Sequence, residues 1–395
     1  MKLKYFFLST LIALTAAPVD ALTPREAADA ILGRNGRRLQ AVAVREAKDL
    51  ESRTMANAPD PEIEGGYKVA PSGVEDRWEV GVSYGVEWPG VYGARREAGM
   101  IAREFNAAEE DAVVYTKRIE ILQKICDWLY TVRRLELMHK ISAATDSLHS
   151  VTQKALKGGQ MSRLDFSKIS IEKGKVDMTL ADIEAEKLSI EGELRTLNGG
   201  YPCVAILESI DMMTDMVPLL PMQEYLDGAI SNPVFLQAVA EFRMAEQNVK
   251  VAKSESLPGL SLGYSHDFEE GYHFNGASLG ISLPLFSSRG KVKAAKAAKA
   301  AAEFQMTVTA DEVESQVKSI YEEIGAIDKA LKVPTDVFSK TDYTTLLMKA
   351  YKGGEISLTE YLQERNWFQD AHLDLLQLQS RREQSFYILS ALTGR

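Results

Sequence analysis

Ala155-Leu156-Lys157-Gly158-Gly159-Gln160-Met161-Ser162-Arg163-Leu164-Asp165-Phe166 returns later in the chain as Ala350-Tyr351-Lys352-Gly353-Gly354-Glu355-Ile356-Ser357-Leu358-Thr359-Glu360-Tyr361. The paired glycines, the serine and the acid keep their places. A second string, Asn35-Gly36-Arg37-Arg38-Leu39-Gln40-Ala41-Val42-Ala43, returns as Asn232-Pro233-Val234-Phe235-Leu236-Gln237-Ala238-Val239-Ala240. The offsets, 195 (352 against 157) and 197 (232 against 35), agree within two residues. Two unrelated strings with one offset mark a tandem duplication of a unit of roughly 165 to 175 residues. The chain therefore reads as a first repeat over 22–198, a linker over 199–231 and a second repeat over 232–395.

Each quoted turn reads as a helical hairpin tip. Gly158-Gly159 and Gly353-Gly354 supply the left-handed residue that ends a helix. Ser162 and Ser357 follow at N-cap distance, with Asp165 and Glu360 three residues on, the pattern of a capping box. Upstream of the first tip, residues 91–156 contain no proline. Leu122, Ile125, Leu129 and Val132, then Ile141, Ala144, Leu148, Val151 and Ala155, alternate spacings of three and four, a coiled-coil seam. At about 1.5 Å per residue such a helix extends about 100 Å. The matching stretch of the second repeat runs from Arg289 to Tyr351 and contains Pro334, where a kink or local break is expected.

The segments before the long helices alternate instead with period two. In Trp78 to Glu87 every even position is apolar and the odd ones are Glu, Gly or Ser. Leu260, Leu262 and Tyr264 alternate with Ser261, Gly263 and Ser265, and Leu279, Ile281, Leu283 and Leu285 with Ser278, Gly280, Ser282 and Pro284. One face is bulky and the other small, as in a membrane barrel strand with lipid outside and water inside. The competing reading is a soluble antiparallel sheet with one wet face. That sheet would need a covering layer, and the remainder of each repeat is helix with its own seam. Trp78, Trp88, Tyr67 and Tyr84 are candidates for interfacial girdles, or for ordinary sheet packing.

Lys2 and Lys4 precede an apolar run from Tyr5 to Ala17 and then Val19-Asp20-Ala21, a signal peptide over residues 1–21 with cleavage after Ala21. No cysteine follows to accept an N-terminal lipid. Beyond it no stretch is apolar for the roughly 18 residues a membrane helix needs, so insertion must use strands. A net charge of -10 argues against nucleic acid as a partner. Cys126 and Cys203 fit either a disulfide or two buried thiols. His139, His149, His266, His273 and His372 show no ligand spacing, and no phosphate-binding loop occurs, so no catalytic group, cofactor or resident metal is expected. Met212, Met213, Met216 and Met222 are soft enough for Cu(I), but Pro218, Leu219, Leu220 and Pro221 beside them suit a packed belt.

With these features in view the chain resembles the TolC family of outer-membrane efflux proteins. The resemblance rests on Asn232-Pro233 with Leu236-Gln237-Ala238, on Glu87-Trp88-Pro89-Gly90 and Pro284-Leu285-Phe286, and on Tyr351-x-x-Gly354-x-x-Ser357-x-x-Glu360. Trp88-Pro89-Gly90 looks most like the heavy-metal branch, the CzcC and CusC group. The resemblance implies an α+β membrane protein: a homotrimer in which each chain gives four strands to one shared twelve-stranded β-barrel. Its long antiparallel helices would form a periplasmic α-barrel. It implies a passive exit duct in the outer membrane, lying in lipid and working with a periplasmic adaptor and an inner-membrane pump, with heavy-metal cations as one cargo. A type I secretion channel and a pore-less periplasmic coiled-coil adaptor are the alternatives. Independently, four strands cannot close a membrane barrel, whose minimum is about eight.

In this family the hairpin tips converge and close the tunnel. Carried over through the tip motif, the gate positions are Asp165, Tyr351 and Glu360. Arg163, Lys157 and Lys352 are the basic candidates to balance a ring of acids, and Gln363 stands where relatives often have another acid. Asp165 and Glu360 also read as plain helix caps.

Overall fold

A computed structural model describes residues 22–73, 75–210, 217–269, 271–284, 286–340 and 343–395. The expected signal peptide over 1–21, Leu285, and Met212, Met213 and Met216 of the linker lie outside the described residues. Two helices, α1 (Pro24–Leu32) and α2 (Gly36–Thr54), lead into strands β1 (Glu62–Lys68) and β2 (Arg77–Val86) and helices α3 (Pro89–Lys157) and α4 (Arg163–Leu197). Short helices α5 (Val204–Glu208) and α6 (Met222–Ala229) precede α7 (Pro233–Ser254), β3 (Gly259–Glu269), β4 (Tyr272–Ser282), α8 (Lys291–Lys340), α9 (Tyr343–Lys352) and α10 (Leu358–Thr393). The order helix, two strands, long helix, turn, helix occurs twice.

The repeated asparagine has a structural reason. Asn35 and Asn232 are the N-caps of α2 and α7, their side-chain oxygens accepting from the amides of Arg37 and Arg38 and from that of Val234. Both side chains are buried. Such a cap is worth about 0.5–2 kcal/mol over alanine.

The chain divides into two compact units, each drawing on both halves of the sequence: residues 1–34, 121–217 and 347–380 in one, 35–120, 218–346 and 381–395 in the other. In the first, the core is a helical seam. Ile169, Val176, Ile183 and Ile190 of α4 are buried at intervals of seven, and Met138 and Ile141 of α3 pack with Val176 and Ile183. Of the expected seam of α3, Leu122, Ile125, Leu129, Ile141 and Leu148 are buried, but its tip end differs. Val151 is 61% exposed and Ala144 is exposed, whereas Thr131, Met138, Thr145 and Thr152 are buried, again seven apart. The threonine hydroxyls donate to the carbonyls four residues back, Thr145 to Ile141 and Thr152 to Leu148, both at 2.8 Å. With its hydroxyl satisfied inside the helix, threonine packs through its methyl, which is why an apolar search passed over these positions. Cys126 and Cys203 are both buried, and no disulfide joins them.

The second unit holds a four-stranded antiparallel sheet in the order β1-β2-β3-β4. In the same unit Tyr115, Tyr225, Val313, Val317, Ile324, Leu389 and Leu392 form a helical core. Arg382 is buried against Asp328 at 2.9 Å, and its guanidinium lies over the Phe386 ring. Of the kink or local break expected at Pro334, the break is not found, because α8 continues through it to Lys340. Ile324, Ile327 and Leu331 are buried just before it. That stripe holds the helix in place against the roughly 3 kcal/mol penalty of an internal proline.

Candidate functional site

The two hairpin turns, both in the first unit, superimpose bond for bond. At the first, Gln160 N donates to Ala155 O (2.8 Å) and Gly159 N to Leu156 O (3.1 Å). At the second, Glu355 N donates to Ala350 O (3.0 Å) and Gly354 N to Tyr351 O (3.1 Å). This is the Schellman pair, six-to-one and five-to-two. Only the second glycine of each pair is left-handed, Gly159 at φ +69° and Gly354 at φ +75°. Gly158 and Gly353 have no positive φ.

After the turns the two caps diverge. Ser357 N donates to Glu360 Oε2 at 2.7 Å and Glu360 N to Ser357 Oγ at 3.2 Å, a complete reciprocal box. Asp165 N donates to Ser162 Oγ at 3.0 Å, but the Asp165 carboxylate accepts from the Ser162 hydroxyl at 2.7 Å rather than from its amide. Aspartate is one methylene shorter than glutamate. Both acids are held below their usual pKa, Glu360 chiefly by the Ser357 amide and Asp165 chiefly by the Ser162 hydroxyl.

The sequence-named cations Lys157, Arg163 and Lys352 are exposed. The cation beside Asp165 is instead Lys168, at 3.5 Å, one helical turn on, and it also donates to Thr359 Oγ1 at 3.0 Å. Lys168 thereby joins the first turn to the second. Tyr351 is half-buried with its ring 5.1 Å from that of Tyr361. Burial, with the Asp165 charge adding to it, pushes its hydroxyl pKa up and keeps it protonated. Below the turns Arg365, 2% exposed, donates to Glu172 Oε1 at 2.8 Å and to Thr145 Oγ1 at 3.2 Å, tying α10 to α4 and α3. Sequence reasoning missed it, since a buried arginine in a helix looks like any surface arginine in a string.

In the second unit the strand register sorts the sheet into two faces. Val80 faces His266, Val82 faces Tyr264, Tyr84 faces Leu262 and Val86 faces Leu260, and β4 extends the same face with Leu279 and Ile281. This face is open in the chain, Leu279 being 74% exposed. On the other face glycine and serine alternate across strands: Gly81, Ser265 and Gly276 in one row, Ser83, Gly263 and Ser278 in the next, Gly85, Ser261 and Gly280 in the third. A methyl built on Gly263 would lie 2.5 Å from Ser278 Oγ, and one on Gly259 2.6 Å from Ser282 Oγ. Towards the β3–β4 turn this face becomes charged, with Glu79, Asp267, Arg77 and Glu269. Trp78, Phe268 and Tyr67 gather at that end of the apolar face, and Tyr84 lies near the other. Among the described residues no helix is long and apolar enough to cross a membrane.

Residues 229–395 match the family model of the outer membrane efflux protein. That match spans the C-terminal part of the chain, from the end of α6 through α10. The whole chain has the fold of solved channels of this type. It is 14% identical to the Campylobacter jejuni CmeC outer membrane channel, covering 95% of this chain and 86% of that one, with a TM-score of 0.74. The outer membrane protein VceC from Vibrio cholerae is 15% identical over 94% and 96% of the chains, with a TM-score of 0.74. The open-state Neisseria gonorrhoeae MtrE outer membrane channel is 16% identical over 96% and 93%, also at 0.74. No curated protein matches in sequence.

Proposed function

We propose that three copies of this efflux protein close their sheets into one twelve-stranded barrel, and that the trimer is the passive exit duct of a tripartite system with a periplasmic adaptor and an inner-membrane pump. The observation that carries this reading is the sheet itself: an uncovered apolar face, a glycine and serine face opposite, and one unpaired edge on each of β1 and β4. An open edge in lipid leaves backbone groups without partners, so the chain needs copies of itself to complete the ladder. The repeat boundaries at 22–198 and 232–395, with 199–231 between, belong to the same reading. Trp88-Pro89-Gly90, which resembles the heavy-metal branch, supports metal cations as a cargo.

In this reading Asp165, Glu360 and Tyr351 at the hairpin turns are the gate residues, with Lys168, 3.5 Å from Asp165, as a balancing cation. Three copies would bring six carboxylates around the opening, a ring that favours cations. Native mass measurement of the detergent-solubilised chain, with conductance in planar bilayers, tests the whole. A trimer with defined pores is expected, and a monomer stable in buffer without detergent would sink the reading. For the gate, the Asp165→Ala, Glu360→Ala pair should alter closed-state conductance and block by multivalent cations; unchanged values would leave both acids as caps alone.

A further inference from the structure

The five histidines look scattered in the sequence, yet the β3–β4 register brings two of them together. His266 lies opposite Asn275 and His273 opposite Phe268, which makes the histidines diagonal neighbours on one face of the hairpin. Their side chains meet, with His266 Nε2 3.2 Å from His273 Nδ1. The other nitrogen of His266, Nδ1, is 2.7 Å from Asn275 Oδ1, which also accepts from the Tyr264 hydroxyl at 2.8 Å. A carbonyl oxygen only accepts, so Nδ1 of His266 carries the proton and Nε2 presents its lone pair towards His273. Trp78 and Phe268 flank the pair, with ring centroids 5.5 Å from His266 and 5.1 Å from His273. His273 is exposed and is the second residue of β4, so the pair lies at the turn end of the apolar face, beside Trp78 and Phe268.

We propose that His266 and His273 form a two-imidazole site for a borderline-soft divalent cation, Zn²⁺ being the best fit. Two nitrogens at 2.0–2.1 Å on a tetrahedral ion are about 3.3 Å apart, and the two here already stand at nearly that separation. On binding, the proton between the rings moves to His273 Nε2, so that both facing nitrogens ligate as neutral imidazoles, and water fills the remaining positions. Asn275 is a positioning residue: it fixes the tautomer and orientation of His266, the role a carbonyl plays behind a metal-bound histidine. The ion would staple β3 to β4 near their turn. This site stands on the hairpin alone, whatever the channel carries.

The test is calorimetric titration of the full mature chain with Zn²⁺, prepared in detergent without a histidine tag. One saturable equivalent per chain is expected. Binding should weaken at least tenfold in His266→Ala and in His273→Ala, and about 10- to 100-fold in Asn275→Ala. It should be unchanged in a His139→Ala, His149→Ala, His372→Ala variant. Needing no substitution, Zn²⁺ should also protect His266 and His273 of the native chain from acylation by diethylpyrocarbonate, read by mass spectrometry. Absence of saturable binding, binding that survives both histidine changes, or equal acylation with and without Zn²⁺ would overturn the site.

Discussion

At the scale of single residues, equivalent positions of the two repeats do unequal work. Glu360 reaches back to the Ser357 amide while Asp165 stops at the Ser162 hydroxyl. Ser357→Ala should therefore destabilise the start of α10 by about 0.5–2 kcal/mol, seen as faster proteolysis at the second turn. Because the folded pKa of Glu360 is lowered, its contribution is fully present above the ordinary glutamate range and fades as pH falls through the lowered value. Hydrogen exchange of the first turn of α10 should accelerate in that acid window, and Glu360→Gln should show the acceleration at neutral pH. Arg365 offers a sharper contrast. Arg365→Ala leaves Glu172 without its partner and should cost about 3–5 kcal/mol, whereas an Arg365→Met, Glu172→Met double change should be near neutral or stabilising in thermal unfolding. The caps were legible in the sequence because Ser-x-x-acid is a local pattern. Lys168 and Arg365 were not, since their partners are set by which helices lie side by side.

Elements repeat the lesson in a different form. The strands declared themselves because period two needs only a few residues, and the hairpin turns because glycine pairs recur at a fixed offset. The exact seam of α3 did not, because Thr145 and Thr152 are counted as polar although their hydroxyls are spent within the helix. Thr152→Val should therefore be tolerated, while Ile183→Ala in the matching stripe of α4 should cost about 2–5 kcal/mol, both measured by thermal unfolding. At the turns only one glycine of each pair is conformationally required. Gly159→Ala should cost about 1–2 kcal/mol for placing a Cβ at positive φ, and Gly158→Ala much less. Pro334 shows the limit of reading a breaker alone, since the buried stripe of Ile324, Ile327 and Leu331 carries α8 past it.

For the whole molecule, the decisive quantity is the small face of the sheet. If that face lines a water-filled pore, Gly263→Leu should lower single-channel conductance, while Leu279→Val on the opposite face should leave it unchanged. The fold was legible at this level because duplication and alternation constrain many residues at once. The histidine pair was not, because it depends on the register across the β3–β4 turn. The bare flanks of β1 and β4 carry a last consequence, for biogenesis. A newly exported subunit travels as an adhesive ribbon with two sticky margins, able to recruit sisters but equally any stray strand it meets. A copy with one margin made sterile by proline would join a growing assembly and never let it close. Expressed alongside the intact protein, such a copy should act as a dominant poison, depleting finished pores more steeply than its own share of the subunit pool.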